Sequence, residues 1–202
     1  MSKESLRKRL YELGAVNVKK PGEVLYTLKS GITSPLYVDC RLAALDASGA
    51  EQIGELLYDN IISYLDHIND DHQRIYIGGA GVGASPIIGS ILSVAGNYCL
   101  PWQGFIVREK AKDHGRKKRI EGHIGGDGAI VLVEDVITGG SSICDTLAVL
   151  KEIDLAPISI HCIVDREEGG SQYLRSRGHK VFSLFTASSL TAMESVNELL
   201  GA

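Results

Sequence analysis

Two adjacent carboxylates, Glu134 and Asp135, follow the apolar run Ile130-Val131-Leu132-Val133 and precede Val136, Ile137 and the small-residue turn Thr138-Gly139-Gly140-Ser141-Ser142. Carboxylate oxygens accept hydrogen bonds from vicinal hydroxyls, and the backbone N–H groups of a tight turn can surround a phosphate. That order of parts suits a phosphorylated sugar. Apolar periodicity resumes at Ile143, Leu147 and Leu150, so Ser141 or Ser142 falls near the positive end of a helix dipole. The same stretch also reads as an ordinary strand-to-helix corner with solvated acids. A corner, however, needs neither two like charges side by side, which repel, nor the Thr-Gly-Gly-Ser-Ser run behind them.

Other stretches carry weaker signals of their own. Lys29 sits on the turn-rich connection Lys29-Ser30-Gly31-Ile32-Thr33-Ser34-Pro35, where a lone lysine is ordinarily solvated. In the run Gly78 to Pro86, Gly79, Gly81 and Ala84 meet a relaxed dinucleotide fingerprint, but no acid closes a following strand where an adenosine ribose would need it. A pyrophosphate loop is the better reading of that run, because missing side chains let backbone donors approach an anion. The segment Arg108 to Gly122 is basic, with Lys110, Lys112, His114, Arg116, Lys117, Lys118 and Arg119, and reads as a solvated loop or an anion-capturing one. Arg166, in Asp165-Arg166-Glu167-Glu168-Gly169-Gly170, can pair with Asp165 or Glu168, or offer its planar guanidinium to a carboxylate.

The scaffold for these residues is legible in outline. The chain has 202 residues, 44% of them hydrophobic, enough for one substantial core and most simply one domain spanning 1–202. Leu6, Leu10 and Leu13 mark a first helix ending near Gly14. Val24 to Leu28 and Leu36 to Cys40 read as the arms of a hairpin, and Ser48 with Glu51 has capping-box spacing before a second helix. From Arg74, short apolar strands (Ile75 to Ile77, Phe105 to Val107, Ala129 to Val133, Ile158 to Val164, Val181 to Leu184) alternate with helical segments (Pro86 to Ala95, Ser142 to Ile153, Gly170 to Arg177, Leu190 to Leu200). This is the pattern of an α/β protein with a central parallel sheet covered on both faces. Ligands of such sheets collect beyond the carboxyl ends of the strands, where Arg108, Glu134 and Asp165 fall.

Composition narrows the function classes. The net charge of −4 and the lack of aromatics interleaved with the basic segment argue against nucleic-acid binding. Cys40, Cys99, Cys144 and Cys162 form no C-x-x-C element, and the six histidines include no helix-spaced ligand pair, so no protein-bound metal is expected. Apolar runs are strand-length and Met1-Ser2-Lys3-Glu4 leads into no apolar signal region, so no membrane association and a cytoplasmic location are expected.

The stretch Ile130 to Ser142 resembles the phosphoribosyl pyrophosphate (PRPP) signature of type I phosphoribosyltransferases. Three further segments are similar to orotate phosphoribosyltransferases: Tyr26 to Asp39, the loop Arg108 to Gly122, and Asp165 to Gly170. The resemblance implies the type I phosphoribosyltransferase fold, with a small N-terminal hood (about 1–45) on a core (about 46–202). It implies transfer of the phosphoribosyl group from PRPP to orotate, giving orotidine 5′-monophosphate and pyrophosphate, in pyrimidine synthesis. By the same resemblance Glu134 and Asp135 hold the ribose, and Val136, Ile137, Thr138, Gly139, Gly140, Ser141 and Ser142 line the 5′-phosphate. Arg108, Lys112 and His114 act on the leaving pyrophosphate, Asp135 joins them as a catalytic residue by favouring the charge that develops on the ribose, and Mg²⁺ is carried mainly on substrate oxygens. Lys29 contacts the ligand, Leu36 and Tyr37 shape the base pocket, and Arg166 meets the orotate carboxylate. A homodimer sharing the loop between subunits is implied too. Two departures stand out: Glu109 replaces the family's usual lysine, with Lys110 beside it as a substitute, and Ser85 replaces the acid that some orotate enzymes carry before the proline. Another phosphoribosyltransferase, or a noncatalytic PRPP-binding regulator, would share the sugar signature; the former would have no use for Arg166.

Overall fold

A computed structural model describes residues 1–20, 22–27, 33–68, 74–108 and 119–192. The N-terminal helix α1 (Lys3–Glu12) starts at Ser2, whose hydroxyl accepts from the Ser5 N–H at 3.1 Å, and buries Leu6 and Leu10. Strand β1 (Val16–Val18) follows, then β2 (Tyr26–Thr27), β3 (Thr33–Ser34) and β4 (Leu36–Val38). The expected hairpin is arranged differently: β2 pairs with β3, while β4 turns away to pair antiparallel with β1, Val18 opposite Leu36. Apolar residues at Val16 and Leu36 reach the core only in that register, which the short, easily overlooked Val16–Val18 run makes possible.

A short helix α2 (Arg41–Ala44) leads into α3 (Ala47–His67). The cap of α3 is Asp46, accepting from the Gly49 N–H at 2.9 Å, and not the expected Ser48 to Glu51 box. Asp46 wins because it is doubly engaged: Arg9 of α1 donates to both its oxygens, at 2.9 and 2.8 Å, so cap and interhelix tie are one side chain.

The central sheet is built from β5 (Ile75–Ala80), β6 (Gln103–Val107), β7 (Ile120–Gly122), β8 (Ala129–Ile137), β9 (Ser159–Asp165) and β10 (Val181–Thr186), in the order β10-β9-β8-β5-β6-β7. All neighbours are parallel except β7, an antiparallel edge strand that the sequence pattern did not mark. The remaining helices are α4 (Gly81–Asn97), α5 (Ser141–Lys151), α6 (Gly170–Ser176) and α7 (Ala187–Thr191). The last is far shorter than the expected Leu190 to Leu200 helix, most of which lies outside the described residues. Strand alternation divides the core. Ile75, Ile77, Val131 and Val133 pack with α1, α3 and α4, whereas Tyr76, Phe105, Ile130 and Leu132 pack with α5 and α6. Each fully buried Ile or Leu here contributes about 1.5–3 kcal/mol. His161, wholly buried on β9, bonds Asn60 of α3 and Ser159 at 2.8 and 3.0 Å and stacks on Phe182; burial holds its pKa down to about 3, so it is a neutral core residue.

The glycine-rich run, expected as a pyrophosphate loop, is the end of β5 and the start of α4. A Cβ on Gly78 would lie 1.9 Å from the Phe105 ring, and one on Gly79 2.4 Å from the Val133 carbonyl oxygen, so both glycines serve close packing. Gly81, with φ of +63°, makes the corner into α4. The Ser85 hydroxyl is spent on the Gly81 carbonyl at 2.7 Å. Strand order reverses between β5 and β8: β6 lies to one side of β5, and β8, β9 and β10 lie to the other. The crevice beyond their carboxyl ends is where such a sheet binds ligands.

Candidate active site

Strand β8 does not stop at the acids but runs through them to Ile137, so Glu134 and Asp135 are held by a paired strand at the crevice. Glu134 is only 6% exposed. Its two oxygens accept from the Ser142 hydroxyl at 2.8 Å and from the Asp135 N–H at 3.2 Å. Asp135 is half-buried and accepts from the Val136 N–H at 2.8 Å. Burial, followed by the hydrogen bonding and charge of Asp135, raises the Glu134 pKa to about 8, while the Ser142 hydroxyl pulls the other way. A vicinal diol arriving at this pair would find acceptors already fixed in place.

Immediately beyond, Thr138 and Gly139 are exposed and Gly140, with φ of +81°, is the N-cap of α5 without a side chain to cap it. The N–H groups of the first turn of α5 are therefore left for an anion, with the helix dipole behind them. A recess of about 40 Å³ is lined by Glu134, Val136, Ile137, Thr138, Gly140, Ser141 and Ser142, together with Ile143. The Ile137 side chain itself is in the core, so its share in the recess is backbone. Gly170 braces the turn: its N–H donates to the Thr138 carbonyl at 2.9 Å, and any Cβ there would sit 2.2 Å from that oxygen.

On the β6 side, a second cleft of about 320 Å³ brings Arg108 and Arg119 opposite Ser141, Ser142, Asp145 and Thr146. Arg108 is exposed, donates to Glu121 at 3.3 Å, and exchanges backbone contacts with Arg119, so the two ends of the basic segment are zipped together beside the α5 turn. Lys110, Lys112 and His114, like Lys29 on the N-terminal turn, lie outside the described residues.

Arg166, 8% exposed, donates through Nη2 to Ser34 of β3 at 3.2 Å and forms an ion pair with Glu168 at 2.9 Å. The ordinary pairing with Glu168 therefore exists, yet among the described residues the buried Nε has no hydrogen-bond partner. Its backbone N–H donates to the Ile137 carbonyl at 2.9 Å, which sets it next to the Thr138 turn. Tyr37 faces outward, 42% exposed, with its ring 5.5 Å from that of Tyr26. Leu36 corrects an expectation: its side chain is 2% exposed and belongs to the core, because alternation along β4 sends neighbours to opposite faces. Glu168 is one of the two partners the sequence offered for Arg166, whereas Ser34 stood there only as part of the Lys29 to Pro35 turn. Among the described residues, no cluster of three or more His, Cys, Asp or Glu side chains could hold a metal.

No family model matches the chain. Individual relatives do. It is 33% identical over 174 residues to an orotate phosphoribosyltransferase of Aquifex aeolicus, covering 86% of this chain and 91% of the relative. Against the orotate phosphoribosyltransferase of Rhodopseudomonas palustris it is 32% identical over 192 residues, covering 93% and 97%. The chain belongs to the orotate phosphoribosyltransferase family. Among solved structures of that family, the Mycobacterium tuberculosis orotate phosphoribosyltransferase in complex with Fe(III) dicitrate matches with a TM-score of 0.74 at 25% identity, covering 94% of this chain and 99% of that one. The same enzyme in complex with PRPP matches at a TM-score of 0.71 and 24% identity. The type I phosphoribosyltransferase fold read from the sequence is therefore the fold of this family member.

The raised pKa of Glu134 has a definite sign in the ligand-free protein. The folded state favours the protonated acid, so this group costs stability as pH rises from its ordinary 4.5 through about 8. Glu134→Gln, a permanent stand-in for the neutral acid, should match the wild type in melting temperature at the acid end and exceed it increasingly toward the alkaline end. A difference between the two that does not change with pH would contradict the burial argument.

Proposed function

We propose that this chain transfers the 5-phosphoribosyl group of PRPP to orotate, forming orotidine 5′-monophosphate and releasing pyrophosphate in the synthesis of pyrimidine nucleotides. The observation that carries the reading is the paired acids on β8 running directly into the uncapped first turn of α5, with Arg166 hydrogen-bonded beside that turn. Family membership supports the same activity.

In this reading the bond from C1 of the ribose to the pyrophosphate oxygen breaks with its electrons leaving on pyrophosphate, and a ring nitrogen of orotate forms the new bond to C1 as its N–H bond breaks and the proton passes to the pyrophosphate. Positive charge develops on the ribose between these events. Asp135 and Glu134 hold the hydroxyls and Asp135 lends negative charge to that face, while the Thr138 to Ser142 turn anchors the 5′-phosphate and so fixes C1. Arg108, at the lip of the cleft facing Ser141 and Ser142, neutralises the departing pyrophosphate with Lys112, and His114 donates to it. Lys110 takes the place of the missing lysine at Glu109. Lys29 and Tyr37 close over the base. Loop closure excludes the water that would otherwise take up the same carbon.

Mg²⁺ fits this site as an ion carried by the substrate: the donors within reach are the hard carboxylates of Asp135 and Glu134, too few for a protein cage and suited to share an ion with phosphate oxygens. When bound it offsets the charge of the diphosphate. The Arg166 guanidinium, with its buried Nε unpaired among the described residues, is suited to the orotate carboxylate, which purines and uracil lack. We further infer a homodimer in which the segment after Arg108 serves the partner's site, and a cytoplasmic enzyme; among the described residues no helix is long and apolar enough to cross a membrane.

Pyrophosphate release should occur with orotate and not with uracil, hypoxanthine, adenine or no base. Arg166→Lys should raise the KM for orotate about 10- to 100-fold, as expected for losing a charged hydrogen bond worth about 1.5–3 kcal/mol. Activity with a purine, or an unchanged KM, would refute the assignment. Lys112→Ala should lower turnover far more than PRPP affinity. Mixed with the strongly impaired Asp135→Asn protein it should recover part of the activity, since a mixed dimer holds one intact site; mixtures no more active than their parts would refute loop sharing.

A further inference from the structure

The glycine run at the start of α4 is not absorbed by the site just described. Gly78 and Gly79 are explained by packing, and Gly81 by its backbone angle. Gly83 is different. Its backbone is ordinary helix, yet a Cβ built on it would lie 2.8 Å from Cγ, Oδ1 and Oδ2 of Asp135 alike. The carboxyl group is thus laid face-on against the third residue of α4. That side chain is not free to drift, because the Val136 N–H donates to its Oδ1 at 2.8 Å. The first turn of α4 has no acid of its own, and its N-cap, Ala80, offers no side chain to the N–H groups. A negative group arriving from β8 therefore meets the positive end of a helix dipole.

We propose that Gly83 is a positioning residue for ribosyl transfer, holding the Asp135 carboxylate against the first turn of α4 by having no side chain. A methyl group there would push the carboxyl away from α4 and out of line with the ribose hydroxyls. The inference rests on the function proposed above for Asp135, but its structural half does not.

The test is Gly83→Ala, alone and combined with Asp135→Asn. Alanine is the better helix former, so the melting temperature should hold or rise. A crystal structure of the variant should show the Asp135 carboxyl displaced, and kcat should fall about 10- to 100-fold, the scale of a misplaced catalytic group, with the KM for orotate little changed. In the Asp135→Asn background the same alanine should cost nothing more. Gly83→Ala with wild-type kcat, an unmoved carboxyl, or an equal loss in both backgrounds would overturn the proposal. Should the wild type itself release no pyrophosphate with orotate, the functional reading fails. Gly83 is then judged by the crystal structure and by calorimetry with PRPP alone, where an unmoved carboxyl and unaltered PRPP binding would overturn its positioning role.

Discussion

A carboxylate that is nine-tenths buried can exist at the end of a strand only where its neighbours make the charge tolerable. Glu134 meets that constraint through the Ser142 hydroxyl and the Asp135 N–H, and it still carries a raised pKa. Much of the site follows from accommodating it. Ser142 must stand at the first turn of α5, so the chain must reverse within Thr138 to Gly140, and a left-handed glycine is what allows so short a reversal. The uncapped N–H groups left by that reversal are the same ones that suit a phosphate. In the proposed function, ribose recognition and phosphate recognition are thus two consequences of one strand-to-helix corner.

The second acid is held from another quarter of the fold. Asp135 looks toward α4, whose start is determined by the β5 corner at Gly81, whereas Glu134 is tied to α5. The pair therefore spans the line at which strand order reverses, and a sugar seated on it would contact both halves of the sheet. Among the described residues the N-terminal strands meet the crevice through the polar contact from Arg166 to Ser34, which couples the proposed base side to β3. Because Arg166 is also anchored to the Ile137 carbonyl, base and phosphate ends share the same strand terminus.

What could be read from the amino-acid order was whatever depends on local pattern. The apolar run into Glu134 and Asp135, the small-residue turn and the periodicity of α5 are contiguous, and each appears in the structure where the pattern put it, except that β8 extends past the acids. The parallel sheet was legible for the same reason. Long-range pairing was not: nothing in Leu36 to Val38 announces that its partner is Val16 to Val18 and not the nearer arm of the turn. Asp46 outcompetes Ser48 as the α3 cap because Arg9, thirty-seven residues away in sequence, is there to bind it. In the glycine run absent side chains serve anion binding and tight packing alike, and the packing share became visible only through Phe105, Val133 and Asp135 in three dimensions.

The most direct measurement is a crystal structure of the wild-type protein with PRPP and Mg²⁺. The account predicts ribose hydroxyls donating to Glu134 and Asp135, with the 5′-phosphate on the N–H groups of the Thr138 to Ser142 turn. A 5′-phosphate bound instead along Gly78 to Ala84, or a sugar held away from the β8 acids, would contradict it.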